Sequence, residues 1–187
     1  MNFLSREIYH LYNRGNNKDI IFFNQNNYLF FLEKLRKHLL IHFDFLAYCL
    51  MPNHFHLLVV SKENIENEKA IRAIAVLLSS YSQAINKQEK RTGSIFQKKT
   101  RAKLLKANTE YLKVCLHYIH QNPYKAKLVD KLEDWEFSSF RDYAGLRNDS
   151  LCNIPYCYNI FGINDINEFY DLSYSKLEEN IIKNIFN

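Results

Sequence analysis

The sequence predicts an α+β fold: an antiparallel sheet with elements in the order β-α-β-β-α-β, backed by helices, with a further helix after the last strand. Three observations carry this reading. Short apolar segments read as strands, and they alternate with two long segments of helical periodicity. Only four glycines and three prolines punctuate the 187 residues, so each is informative about a boundary. Hydrophobic residues make up 47% of the chain, enough for the sizeable core of one ordinary domain.

The elements follow in order. Residues 8–13 (IYHLYN) form a short strand closed by the turn cluster Arg14-Gly15-Asn16-Asn17. NQNNYLFFLEKLRKHLL opens with asparagine caps and places Leu29, Leu32, Leu35 and Leu39 at helical spacing. Residues 43–50 (FDFLAYCL) are a second strand, Met51-Pro52-Asn53 a turn, and residues 54–60 a third strand. A long helix covers 66–89 with Ile71, Ile74, Ala75 and Leu78 on its core face, and Thr92-Gly93 breaks it. A heavily basic strand then runs from Ser94 to Leu105, completing a ferredoxin-like pattern. The last helix of this unit covers 109–121, capped by Asn108 or Thr109 and ended by Asn122-Pro123, because a residue before proline avoids the helical region. Its apolar stripe is Leu112, Cys115, Leu116 and Ile119. At 100° per residue Tyr118 falls about 60° or more outside that stripe, on the flank that also carries Tyr111 and Asn122.

Charge is distributed unevenly. Residues 1–130 carry 20 Lys and Arg against 10 Asp and Glu, whereas residues 131–187 carry 5 against 10. Within 87–127 the balance is 11 basic residues against Glu89 and Glu110 alone. Such a concentration is the footprint of a polyphosphate partner, with nucleic acid the first candidate, although a solvated face would look the same. Arg14, Lys98, Lys99, Arg101 and Lys103 are the residues expected against phosphates. The N-terminus has no apolar core of a secretion signal, and no apolar run is long enough to span a bilayer. Cys49, Cys115, Cys152 and Cys157 have no Cys-x-x-Cys spacing and read as reduced thiols.

The stretch MPNHFHLLVV interrupts an oily strand with two imidazoles. Residues i and i+2 of a strand share a face, so His54 and His56 project together while Phe55 points to the core. Alone, such a pair reads first as two half-exposed, hydrogen-bonded histidines and only second as a metal site. Standing about 6–7 Å apart, they could converge on one cation, given a third ligand from elsewhere. Asn122, an oxygen donor on the flank of Tyr118, is the candidate.

The blocks YHLYNRGNNKDIIF, AYCLMPNHFHLLVV, SYSQAINKQEKRTGSIFQKK, YLKVCLHYIHQNPYKAKLV and DWEFSSFRDYAG, spread over residues 7–145, together resemble the single-tyrosine transposases of the His-hydrophobic-His nuclease class, most closely the REP-associated tyrosine transposases. The resemblance implies a domain over 1–145; residues 146–187 lie outside it and read as an acidic C-terminal extension, helical in part at KLEENIIKNIF. The resemblance also implies His54 and His56 as metal ligands, Tyr118 as nucleophile and Mg²⁺ or Mn²⁺ as the metal. The third ligand falls on Asn122; glutamine is commoner there, and Gln121 sits one place earlier, so both remain candidates. Lys98-Lys99-Thr100 departs from the family's Gly-Arg-Phe while keeping its charge. The implied activity is cleavage and rejoining of single-stranded DNA at hairpin-associated sites through a covalent 5′-phosphotyrosine link. The implied setting is the bacterial cytoplasm, at the nucleoid when DNA is bound, as a monomer or a homodimer. Two alternatives stand beside it: a domesticated hairpin-DNA-binding protein with an idle site, and an unrelated His-x-His metallohydrolase needing no tyrosine.

Overall fold

The computed structural model describes residues 1–105, 108–149 and 151–186. Strands β1 (Ile8–Arg14), β2 (Phe43–Met51), β3 (His54–Ser61) and β4 (Arg101–Leu105) form one antiparallel sheet in the order β2-β3-β1-β4. Helix α1 (Gln25–Leu39) links β1 to β2, and α2 (Asn67–Gln88) links β3 to β4, giving the element order read from the sequence. Helix α3 (Thr109–Lys125) follows β4. After it come α4 (Phe140–Tyr143), α5 (Ile154–Phe161), α6 (Ile166–Tyr174) and α7 (Glu179–Phe186). No helix among the described residues is long and apolar enough to cross a membrane.

The alternation along β3 divides the interior in two. Phe55, Leu57 and Val59 join Tyr9, Leu11, Phe31, Leu35 and Tyr81 in the core beneath α1 and α2. Leu58 and Val60 face the other way, into a second core with Leu112, Leu116 and Ile119 of α3. Phe161 and Phe169, from α5 and α6, are fully buried in that second core. A phenylalanine so buried contributes about 1.5–3 kcal/mol, so residues of the acidic extension are anchored on the helix that carries Tyr118. The segment before them is fastened to β2: Arg147 donates to the Tyr48 hydroxyl and the Ser138 carbonyl, each at 2.7 Å, and Ser139 Oγ accepts from Tyr48 N at 2.9 Å. All four cysteines are buried and free.

Four boundaries or faces differ from the sequence reading. In α1 the inward stripe is Tyr28, Phe31, Leu32, Leu35 and Leu39, and Leu29 is 56% exposed, because the aromatic residues claim the core positions. In α2 the inward residues are Ala70, Ile74, Leu77, Tyr81 and Ile85, which leaves Ala75 exposed. The basic strand starts at Arg101, not Ser94. Upstream of it the chain makes only an isolated bridge, Phe96 to Gly15, and the Asn13 amide bonds Gln97 O (3.2 Å) and Thr100 Oγ1 (3.0 Å) where a ladder would continue. Finally, α3 runs through Pro123 to Lys125.

Candidate active site

The two histidines stand at the first turns of β3, just beyond the tight Pro52-Asn53 loop. That loop is pinned by backbone: Gly15 N donates to Asn53 O and Ile21 N to Pro52 O, both at 2.8 Å. Gly15 is required here, since a Cβ would lie 2.1 Å from Asp19 O. Across the ladder Arg14 pairs with His54 and Tyr12 with His56, so β1 sends His10, Tyr12 and Arg14 to the histidine face. The rings of His54 and His56 lie 5.0 Å apart, centroid to centroid, and nearly perpendicular at 88°.

Each imidazole has its Nδ1 engaged. His54 Nδ1 lies 2.6 Å from Asn53 Oδ1, and His56 Nδ1 lies 2.9 Å from His10 Nε2. A tautomer with Nδ1–H donating in both rings would leave Nε2 as the nitrogen with a lone pair for a metal. Burial, then the Arg14 guanidinium, lowers His54 to about 4 against an opposing hydrogen bond with Asn122. Burial and the neighbouring His10, His54 and Arg14 push His56 well below the ordinary histidine value. Burial and the Lys103 charge lower His10 to about 3. All three are therefore neutral at pH 7, the form that binds metals.

Helix α3 lies over this face. Asn108 caps its start, its side chain accepting from Glu110 N at 2.9 Å. The ring of Tyr118 stands 6.1 Å from that of His56 in an edge-on arrangement. Asn122 comes close to His54, while its own Nδ2 donates to Tyr118 O (2.8 Å) and Ile119 O (3.4 Å). Those bonds explain why the helix survives proline: Pro123 has no N–H for Ile119 O, and the Asn122 amide reaches that carbonyl instead. They also orient the side chain, with nitrogen against the helix and Oδ1 left for the histidine side. Gln121 is turned away, buried, with Nε2 donating to Ser173 O (2.8 Å) and Ser175 O (3.1 Å) in the extension. Among the described residues no three His, Cys, Asp or Glu side chains cluster as a metal site. Beside the two histidines, the Asn122 amide oxygen is a further oxygen donor on this face.

Burial, with a smaller contribution from Cys115, holds the Tyr118 phenol above its ordinary value. Lys125, two turns on, sets its ammonium 5.6 Å from the centre of that ring. Tyr111 is half-buried against the second core and lies about 16 Å of helix rise from Asn122. Of the basic residues, Arg14, Arg101 and Lys103 fall on the histidine face by register, and the Arg14 Nε is buried with no hydrogen-bond partner among the described residues. Lys98 and Lys99 lie in the segment before β4 and line a groove against α2. His10, Asn53 and Lys125 were not singled out from sequence. Period-two alternation around Tyr12 and the i+7 spacing after Tyr118 were the available signals, but neither reveals strand register.

A family described as IS200-like transposases matches residues 5–122. The chain belongs to the IS200-like transposase family. The matched span holds His54, His56, Tyr118 and Asn122 together. Within this family the chain is similar to a Haemophilus influenzae protein named for the REP-associated tyrosine transposases, at 34% identity over 107 residues. That match covers 52% of this chain and 59% of the relative, so the chain spans under two thirds of the relative's length. Among solved structures, a REP-associated tyrosine transposase bound to a REP hairpin shares the fold, with a TM-score of 0.59 at 17% identity over 82% of this chain and 94% of the other.

Proposed function

We propose that this IS200-like transposase cuts and rejoins single-stranded DNA at hairpin-associated sites, using Tyr118 as a nucleophile and a divalent metal held by His54, His56 and Asn122. The observation that carries the proposal is the convergence of Tyr118, the Asn122 amide and the two neutral imidazoles on one sheet face. The REP hairpin bound by the solved relative supports a hairpin-bearing partner, and the basic face formed by Arg14, Arg101 and Lys103 suits phosphates. Lys98 and Lys99 extend that charge along the chain before β4. The active unit is residues 1–145, with 146–187 an extension that steadies α3 from behind. A protein of this activity would work in the bacterial cytoplasm at the nucleoid.

The residues divide the work. His54 and His56, oriented by Asn53 and His10, would hold Mg²⁺ or Mn²⁺ through Nε2, and Asn122 through Oδ1. Bound there, the metal would draw charge from the non-bridging phosphate oxygens and favour the phenolate. Tyr118 Oη attacks phosphorus as its proton passes to solvent; the Oη–P bond forms and the P–O3′ bond breaks, and the departing 3′-oxygen takes up a proton to become a 3′-hydroxyl. The phosphotyrosine keeps the bond energy, so a 3′-hydroxyl can reverse the step on a second strand. Lys125 supplies positive charge beside the ring, opposing the upward shift that burial imposes on the phenol.

Incubation with a labelled hairpin single strand and Mn²⁺, followed by denaturing electrophoresis, tests this reading. A denaturant-resistant adduct is expected for the wild type and for Tyr111→Phe, and none for Tyr118→Phe. Binding without any adduct under all metals would instead indicate an idle site. Turnover that survives Tyr118→Phe would indicate a metallohydrolase and overturn the mechanism.

A further inference from the structure

Arg14 stands directly across the ladder from His54. Directly opposed residues send their side chains from the same sheet face, with Cβ atoms about 4.5–5.5 Å apart. The backbone beneath Arg14 is fixed on both sides: its N–H donates to Asn13 Oδ1 at 2.7 Å, and its carbonyl accepts from Gln97 N at 2.9 Å. Arg14 is thus rooted beside the histidine. A guanidinium keeps its charge at any ordinary pH. After burial, that charge is among the causes that hold His54 and His56 below the ordinary histidine value. The Arg14 Nε is buried with no hydrogen-bond partner among the described residues. A buried donor left unmet is costly, and for a cationic donor an anionic oxygen is the strongest acceptor.

The three groups proposed as metal ligands, His54, His56 and Asn122, are all neutral when ready to bind. Among the described residues, the ionic side chains that act on His10, His54 and His56 are Arg14 and Lys103, both cations. A divalent cation entering alone therefore meets neutral ligands and a fixed positive charge across the ladder. A phosphodiester entering alone meets that same charge as an attraction. We propose that Arg14 sets the order in which the site is loaded, holding down metal affinity in the DNA-free chain while binding a non-bridging phosphate oxygen, so that the metal joins after the DNA. The bound phosphate adds the negative charge that the neutral ligands lack, and the metal then binds despite Arg14. By linkage, metal and DNA tighten each other by the same factor. Arg14 does not create that coupling; it decides which partner arrives first, because it acts with opposite sign on the two. The cation site stays poorly filled until a strand is present.

The inference rests on the metal-dependent transferase reading, and the test separates the two. Isothermal titration measures Mn²⁺ binding to the DNA-free chain, and fluorescence anisotropy in EDTA measures binding of a hairpin single strand. Arg14→Gln removes the charge and keeps a long polar side chain. It should bind Mn²⁺ about fivefold more tightly than the wild type, since a double charge at ~8 Å in water feels what a single charge feels at ~4 Å. The same variant should bind the strand about tenfold more weakly, having lost a charge-assisted hydrogen bond. Arg14→Lys keeps the charge and should hold Mn²⁺ affinity at the wild-type level. Arg101→Gln removes an exposed cation from β4 and should weaken strand binding alone. Without any change at Arg14, the strand should tighten Mn²⁺ binding by about fivefold or more, read in the Tyr118→Phe chain, which forms no adduct. Mn²⁺ affinity that is unchanged or weaker in Arg14→Gln overturns the inference. So does an equal gain in Arg14→Lys or Arg101→Gln, or a strand that leaves Mn²⁺ affinity unchanged. A wild type that binds Mn²⁺ neither alone nor with the strand overturns the metal reading itself, and the inference with it.

Discussion

His10 and His56 meet ring to ring, Nε2 to Nδ1 at 2.9 Å, and both imidazoles are buried. A ligating histidine is usually oriented by a carboxylate or a carbonyl; in the metal site proposed above, a neutral imidazole on the neighbouring strand would take that place for His56. Because His10 is uncharged at pH 7, it orients the His56 ring without adding negative charge behind it.

His10→Phe should therefore weaken Mn²⁺ binding by about 10- to 100-fold, the usual cost of losing an outer-shell partner. His10→Gln, whose amide oxygen can accept the same proton, should recover part of the loss. Isothermal titration of the metal alone reads both. An unchanged affinity in His10→Phe would remove His10 from the site.

The Asn122-Pro123 pair makes a second expectation. Pro123→Ala returns an N–H to Ile119 O, and the Asn122 amide no longer has to serve that carbonyl. A proline inside a helix costs about 3 kcal/mol, less what the Asn122 bond recovers and what proline saves in the unfolded chain. The variant should thus be more stable, by about 1 kcal/mol, yet bind Mn²⁺ more weakly because Oδ1 is less firmly aimed. A urea titration paired with a metal titration checks the opposed signs; a change of both in the same direction would contradict this account of Asn122.

Gln121 and Asn122 should separate cleanly. Gln121→Ala breaks two hydrogen bonds to the extension, and leaving the Ser173 and Ser175 carbonyls unmet should cost about 1–3 kcal/mol of stability with little effect on metal affinity. Asn122→Ala should do the reverse, losing metal affinity more than stability. Metal loss in Gln121→Ala with none in Asn122→Ala would exchange the two assignments.

The histidine face was legible because strand alternation is a local rule: His54, His56 and the inward Phe55 follow from period two alone. The tyrosine flank was legible for a similar reason, since Tyr118 and Asn122 sit one helical turn apart. What sequence does not carry is register. His10 lies 46 residues from His56, and only the β1–β3 pairing brings them together. The course of α3 beyond Asn122 was misread because a residue before proline was expected to leave the helical region, whereas Asn122 stays in the helix and its side chain meets the carbonyl that Pro123 cannot. On α2 the expected face was largely right, since Ile74 is buried and Ile71 and Leu78 pack against the core, but Ala75 is exposed because Leu77 and Tyr81 take the inward positions beside Ile74.

Acid should destabilise the fold in a defined window. Burial is the first cause of lowered values at His10 (about 3), His54 and His117 (about 4 each), and at His56 and His120, which fall well below the ordinary histidine value. His117 and His120 sit behind Tyr118 on α3, with His117 Nδ1 3.0 Å from Ser173 Oγ and His120 Nε2 2.8 Å from Ser139 Oγ. In the unfolded chain all five take up protons near pH 6.5. Between that pH and the native values the unfolded state binds more protons, so stability is complete above about pH 6.5 and falls as the pH drops. Each histidine contributes a slope of up to about 1.4 kcal/mol per pH unit there. Urea midpoints should be level from pH 8 to 7 and decline steeply below 6. His120→Gln, which can still bond Ser139, should decline less steeply by about one proton's worth. A midpoint that holds level down to pH 5 would mean that these imidazoles are charged in the native chain, and that the neutral pair on β3 is not preformed for a metal.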